Sequence, residues 1–150
     1  PIEMAQEIER KFLVKGTSYL SMATKTIHIR QGYISRNIDA TVRIRITDNE
    51  AFVTIKSRNH GASRHEWEYP IPVADAQGML HECCNGKVLE KTRYIVPFNG
   101  FNWEVDIFHG TNEGLAVAEI ELPDENTRFS LPPFAGVEVT GDPRYYNSNL

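Results

Sequence analysis

The sequence alternates with a period of two along most of its length, and in seven segments the polar positions are charged. In a strand, successive side chains point to opposite faces, so residues i, i+2 and i+4 line one face. EIERKFLV therefore places Glu7, Glu9 and Lys11 on one side, with Ile8 and Phe12 on the other. Arg43 and Arg45 alternate with Val42, Ile44 and Ile46. Lys56 and Arg58 share parity with Thr54, against Val53 and Ile55. Glu66 and Glu68 oppose Trp67 and Tyr69, and Lys91 and Arg93 oppose Tyr94 and Val96. Glu104 and Asp106 oppose Trp103, Val105 and Ile107; Glu119 and Glu121 oppose Ala118, Ile120 and Leu122. A chain patterned this way is a sheet protein with one apolar and one charged face.

The alternation predicts eight strands, at about 5–14, 25–34, 40–48, 50–58, 64–71, 88–97, 101–109 and 115–122. Asp48-Asn49, Asn59-His60-Gly61, Asn99-Gly100 and Asn112-Glu113-Gly114 supply turns between them. Thr17-Ser18 predicts a cap for a short helix through about Ala23. Residues 73–84 predict a longer helix, which Asn85-Gly86 would stop. The tail from Pro132 reads as irregular, with a helical turn after Asp142-Pro143. The expected fold is mainly β, an eight-stranded antiparallel closed barrel with a few accessory helices. Closure would remove exposed edges.

The 150 residues suit a single domain over 1–150, and 41% hydrophobic content indicates a packed core. Met4-Ala5-Gln6 reads as a natural start, with Pro1-Ile2-Glu3 as an added remnant. No apolar run reaches membrane-spanning length, and a net charge of −4 argues against general nucleic-acid binding. Adjacent Cys83 and Cys84 do not make a disulfide framework, so a cytoplasmic setting is expected.

A charged sheet face ordinarily meets water. Here, however, the signs segregate by strand, whereas a solvated surface intersperses them. Like charges at i and i+2 lie roughly 6.5–7 Å apart, an arrangement that solubility does not require. An inward charged face would leave the apolar face to be covered by helices, tail or a partner subunit. A small barrel with acidic and basic sectors suits a polyphosphate chelated by a divalent metal. Arginine and lysine bind phosphate oxygens, and carboxylates hold Mg²⁺ or Mn²⁺.

These segments resemble the CYTH superfamily, the triphosphate tunnel metalloenzymes, in its compact bacterial type. The resemblance rests on the ExExK triplet of Glu7, Glu9 and Lys11 and on the charged doublets that follow in order. It implies a triphosphate-binding tunnel and a divalent cation, Mg²⁺ or Mn²⁺. By position it implies Glu7, Glu9, Glu119 and Glu121 as metal ligands. Lys11, Arg43, Arg45, Lys56, Lys91 and Arg93 would bind triphosphate, with Arg58 at a strand end. Glu66, Glu68, Glu104 and Asp106 would form a second metal locus, a water-orienting shell or partners for the basic residues. Lys11, Lys91 and Glu9 are the catalytic candidates, and the proton acceptor is either a glutamate or a lysine.

The expected reaction is hydrolysis of a small-molecule triphosphate, inorganic triphosphate first, with release of phosphate. The rivals are cyclisation of ATP, thiamine triphosphate hydrolysis and a non-catalytic polyphosphate-binding module. Cyclisation needs a base pocket, for which Tyr33, Tyr94 and Phe108 are the available rings. The paired carboxylates argue against simple binding. No nucleic-acid or membrane partner is expected, and apolar outer strand faces leave a homodimer open. His81, Cys83 and Cys84 are discounted as a metal cluster because the two cysteines point about 100° apart on a helix. His60 and His65 are assigned to a solvated loop, and His28 to either the surface or the charged face.

Overall fold

The computed structural model describes residues 8–58 and 64–150. In chain order its elements are β1 (Ile8–Val14), α1 (Tyr19–Met22), β2 (Lys25–Asn37), β3 (Ala40–Thr47), β4 (Glu50–Ser57) and β5 (Glu66–Ile71). There follow α2 (Val73–Cys83), β6 (Leu89–Phe98), β7 (Phe101–Phe108), β8 (Ala116–Leu122) and β9 (Ala135–Glu138). Short 3₁₀ turns occupy Gly110–Asn112, Pro143–Tyr145 and Asn147–Asn149. Glu7 and the Asn59-His60-Gly61 turn lie outside the described residues. The chain forms two compact units, one over residues 28–90 and one whose described residues are 8–27 and 91–150.

In the first unit the strands run in the order β5-β4-β3-β2, paired antiparallel. Thr47 pairs directly with Glu50, so Asp48-Asn49 is a two-residue turn. Asp48 takes the positive φ (50°) that such a turn requires. Ile44, Ile46 and Ala51 face away from the arginines and pack with Ala76, Leu80 and Cys84 of α2. That helix ends at Cys83, and Asn85 and Gly86, both at positive φ, follow and stop it, as expected. β2 outruns its predicted end by three residues, because Ser35, Arg36 and Asn37 continue the ladder beyond a register shift at Tyr33/Ser35.

The second unit has the order β6-β7-β8-β1-β9, again antiparallel. Asn99 and Gly100, at φ 46° and 86°, close the β6–β7 hairpin. Its core joins Phe12, Val96, Trp103, Val105, Ile120 and Leu122 to Tyr19 and Phe134. Tyr19, on α1, stacks 5.3 Å from Tyr94. This is the short helix expected, with Ser18 at the N-cap position and Ala23 at the C-cap, although Ser18 makes no side-chain cap bond.

The tail departs from the sequence expectation by supplying a ninth strand, β9. It pairs Phe12 with Glu138 and Val14 with Ala135. Four residues after Pro132-Pro133 are too few to show a period, and their pairing depends on distant β1. The Glu138 carboxylate accepts from Arg10 at 2.7 Å and 2.8 Å. The expected turn after Asp142 is present, with the Asp142 carboxylate accepting from the Arg144 backbone N–H.

At Gly32, α2 approaches β2 closely. An added Cβ would stand 2.9 Å from the Cys84 sulfur and 3.1 Å from a Leu80 methyl. Gly32→Ala should therefore cost about 1–3 kcal/mol by overpacking. Urea unfolding checks this, and Cys84→Ala in the same background should recover part of the loss. Equal stability of Gly32→Ala and the wild type would contradict the packing described.

Candidate active site

Strand register gathers the second unit's charges onto one face. Arg93 pairs with Asp106, Glu104 with Glu119, Lys11 with Glu119 and Glu9 with Glu121. Lys91 and Asp106 are only 2% and 1% exposed. The Lys91 ammonium lies 2.8 Å from the Asp106 carboxylate, whose two oxygens also accept from Arg93 at 2.8 Å and 3.0 Å. Burial alone would raise the Asp106 pKa, but Lys91 and Arg93 hold it far below the carboxylate range. Burial likewise opposes the Arg93 charge, and Asp106, Glu104 and Glu119 more than compensate. Glu104 sits 3.0 Å from Arg93. Asp106 and Glu104 thus lie against basic residues.

Beside this network the face turns acidic. Lys11 contacts Glu119 at 3.2 Å. Glu9 is exposed as a residue, with its carboxyl partly desolvated among its neighbours. Desolvation, then the charge of Glu119, push its pKa up to about 7, while Lys11 pulls the other way. A hydrogen bond with Glu119 and the charge of Glu121 add to the rise. Glu9, Glu119 and Glu121 offer hard oxygen donors whose mutual repulsion a divalent cation would relieve, so the residues fit such an ion. Among the described residues no three His, Cys, Asp or Glu side chains are gathered closely enough to hold a metal as they stand. Glu7, the remaining carboxylate of the pattern, lies outside the described residues.

The C-terminal tail covers both lysines. Lys11 donates to the Tyr145 carbonyl at 2.9 Å, and Lys91 to the Asn147 side-chain oxygen at 2.8 Å. Sequence reasoning missed both partners. A backbone carbonyl carries no residue signal, and Asn147 sits in a segment without periodicity.

The first unit carries a second charged face. Register places Gln31 beside Arg45, Tyr33 beside Arg43, Thr54 beside Glu68 and Lys56 beside Glu66. Buried Thr54 joins Arg43, 3.3 Å away, to Glu68 at 2.9 Å. The Arg45 Nε donates to Gln31 at 2.8 Å. Arg58 lies apart, exposed, 3.5 Å from Asp39. Arg64, absent from the expected set, donates to Thr41 at 2.7 Å.

The remaining rings and histidines fall as follows. Arg30 pairs with Ile46, so His28, sharing its parity, is not on the arginine face; it is exposed. His65 stacks edge-on against Trp67, and His60 lies outside the described residues. Tyr94 packs with Tyr19, whereas Phe108 is buried beneath Lys91. Cys83 is exposed and Cys84 buried, which separates them as the helical geometry requires.

The CYTH domain profile matches residues 5–146. The chain belongs to the CYTH family. A relative named inorganic triphosphatase from Acetivibrio thermocellus is 52% identical over 147 residues, covering 98% of this chain and 94% of that protein. One of the same name from Nitrosomonas europaea is 38% identical, covering 96% and 95%. A crystal structure of an inorganic triphosphatase superposes with TM-score 0.71 at 34% identity, covering 95% of this chain and 92% of that one. A putative adenylate cyclase from Bacillus halodurans, 17% identical, shares the fold at TM-score 0.62 over 83% and 84% of the two chains. The mainly antiparallel fold of this CYTH chain is that of its neighbours.

Two outcomes follow from the charges. Asp106→Ala removes the carboxylate that pairs with buried Lys91 and one of the two that pair with Arg93, and should cost about 3–5 kcal/mol in urea unfolding; a loss under about 1 kcal/mol would contradict the network. Glu9 works in the opposite sense. Its folded pKa lies above its unfolded value of 4.5. Its stabilising contribution is therefore complete below pH 4.5 and lost as pH rises through about 7. In EDTA, Glu9→Gln should melt higher than wild type at pH 8 (on the order of 1 unit above the folded pKa), with the advantage gone near pH 4.5.

Proposed function

We propose that this protein is a divalent-metal-dependent triphosphatase acting on inorganic triphosphate. The observation that carries this reading is the second unit's face. It sets Lys11, Lys91 and Arg93 next to the carboxylates of Glu9, Glu119 and Glu121, in a chain 52% identical to a protein named inorganic triphosphatase.

Lys11, Lys91 and Arg93 bind the non-bridging oxygens of the triphosphate. Each forms charge-assisted hydrogen bonds, which are stronger than neutral ones. Arg43, Arg45 and Lys56 are phosphate ligands by the family resemblance, with Arg58 a peripheral one. Glu7, Glu9, Glu119 and Glu121 would hold Mg²⁺ or Mn²⁺, which would supply charge stabilisation at the phosphoryl oxygens. Asp106 keeps Lys91 and Arg93 in place, because a buried carboxylate fixes both cations without solvent. Glu104 orients Arg93 from its other side. Glu66 and Glu68 set the position of the basic residues opposite them.

A water attacks the terminal phosphorus and the bond to the bridging oxygen breaks, giving phosphate and pyrophosphate. The transition state of phosphoryl transfer is loose, so positioning and charge neutralisation outweigh proton abstraction. Lys91 is committed to Asp106 and Asn147 and Lys11 to Glu119 and the Tyr145 carbonyl, which leaves Glu9 the best placed of the three catalytic candidates to accept a proton. Cytoplasmic placement accords with two free thiols. No described helix is long and apolar enough to cross a membrane.

Phosphate release from triphosphate, ATP and thiamine triphosphate tests the reading. Triphosphate should be preferred, and EDTA should abolish release. Glu9→Gln and Arg43→Ala should each lower kcat/KM by at least about 100-fold, the scale of one lost charge-stabilising group. The metal concentration for half-maximal rate should rise as pH falls below about 7, because Glu9 must lose its proton to coordinate. Undiminished release in EDTA, or cyclic AMP formation from ATP without release from triphosphate, would overturn the proposal.

A further inference from the structure

Arg64 stands just before β5 and is half-buried. Its Nε–H donates to the Ser57 carbonyl at 2.8 Å, and its Nη2 to the Thr41 hydroxyl at 2.7 Å. Thr41 gives its own hydroxyl hydrogen to the Lys56 carbonyl at 3.5 Å, so it meets Arg64 as an acceptor. Thr41 shares parity with Arg43 and Arg45, and it pairs with Lys56 across the β3–β4 ladder. The contact therefore brings the Arg64 guanidinium to the arginine face of the first unit. It sits at the strand position next after Arg43 on that face, roughly 6.5–7 Å along β3.

Both acceptors are neutral. The first unit's ion pairs join Arg30 to Glu90, Arg43 to Glu68 and Arg58 to Asp39, and among the described residues none reaches Arg64. Tying Ser57 to Thr41 needs only an uncharged donor, which a glutamine amide would supply. An arginine there adds positive charge to a face that already carries Arg43, Arg45 and Lys56. Like charges repel, and partial burial adds a desolvation cost. The guanidinium has five N–H donors in a rigid fork. Two of them fix its plane, and three remain for a further acceptor. A cation held this way suits a multiply charged anion.

We propose that Arg64 is a further substrate-binding residue, giving a charge-assisted contact to a phosphate oxygen at the Thr41 end of the arginine face. The inference rests on the triphosphate reading and deepens it by one cation outside the charged doublets.

Triphosphate hydrolysis and thermal melting of three variants test it. Arg64→Gln and Arg64→Lys both lose the planar fork, so both should melt lower than wild type and by similar amounts. Only Arg64→Gln loses the charge. Its KM for triphosphate should rise about tenfold with kcat within about threefold, the scale of one lost charge-assisted contact. Arg64→Lys should keep KM within about threefold of wild type. Thr41→Val, which loosens the fork and keeps every charge, should do the same. An unchanged KM in Arg64→Gln overturns the role of Arg64. So does an equal rise in Arg64→Gln and Arg64→Lys, or a rise of about tenfold in Thr41→Val, because KM would then follow the lost clamp and not the lost charge. A wild type inactive on triphosphate overturns the underlying functional reading instead.

Discussion

The ion pair between Lys91 and Asp106, shared with Arg93, is the constraint on which the second unit depends. Three ionised groups stand together on one sheet face, and the two buried ones, Lys91 and Asp106, are tolerable only because they are paired. Removing charges from water costs several kcal/mol per ion, and only near-ideal contacts offset that cost. A hydrophobic trio would fold as well or better. The arrangement fixes both cations in place on the charged face.

The same logic links the two ends of the sequence. β1 and β8 place Lys11 against Glu119 and Glu9 against Glu121, and Glu9 is left with a carboxyl that resists ionisation near neutral pH. One part of the face satisfies its charges internally while the neighbouring part has an excess of negative charge. Under the proposed function, a divalent cation accompanying a polyanion would answer both. On the opposite faces, α2 covers the first unit, while α1 and the tail around Phe134 cover the second.

The period-two pattern made the strands legible, because alternation of Ile44 with Arg43 and Arg45 has one structural meaning. The turns at Asp48 and Asn99-Gly100 were legible for a steric reason, since few residues tolerate positive φ. What could not be read depends on partners distant in sequence. β9 exists because β1 offers an edge to pair with, and Ala135–Glu138 shows no period of its own. The Tyr145 carbonyl that meets Lys11 belongs to the backbone. Gln31 lacked the charge that drew attention to its neighbours, although its parity with Tyr33 placed both on the arginine face. Asp106 was recognisable as a member of the charged face, but its position between Lys91 and Arg93 needed strand register.

The most direct measurement is phosphorus NMR of inorganic triphosphate incubated with the protein and Mg²⁺. The triphosphate resonances should decay while orthophosphate and pyrophosphate grow in equal amounts, and chelation of the metal should stop the change. Triphosphate that persists unaltered with Mg²⁺, or disappears at the same rate after chelation, would contradict a metal-assisted triphosphatase.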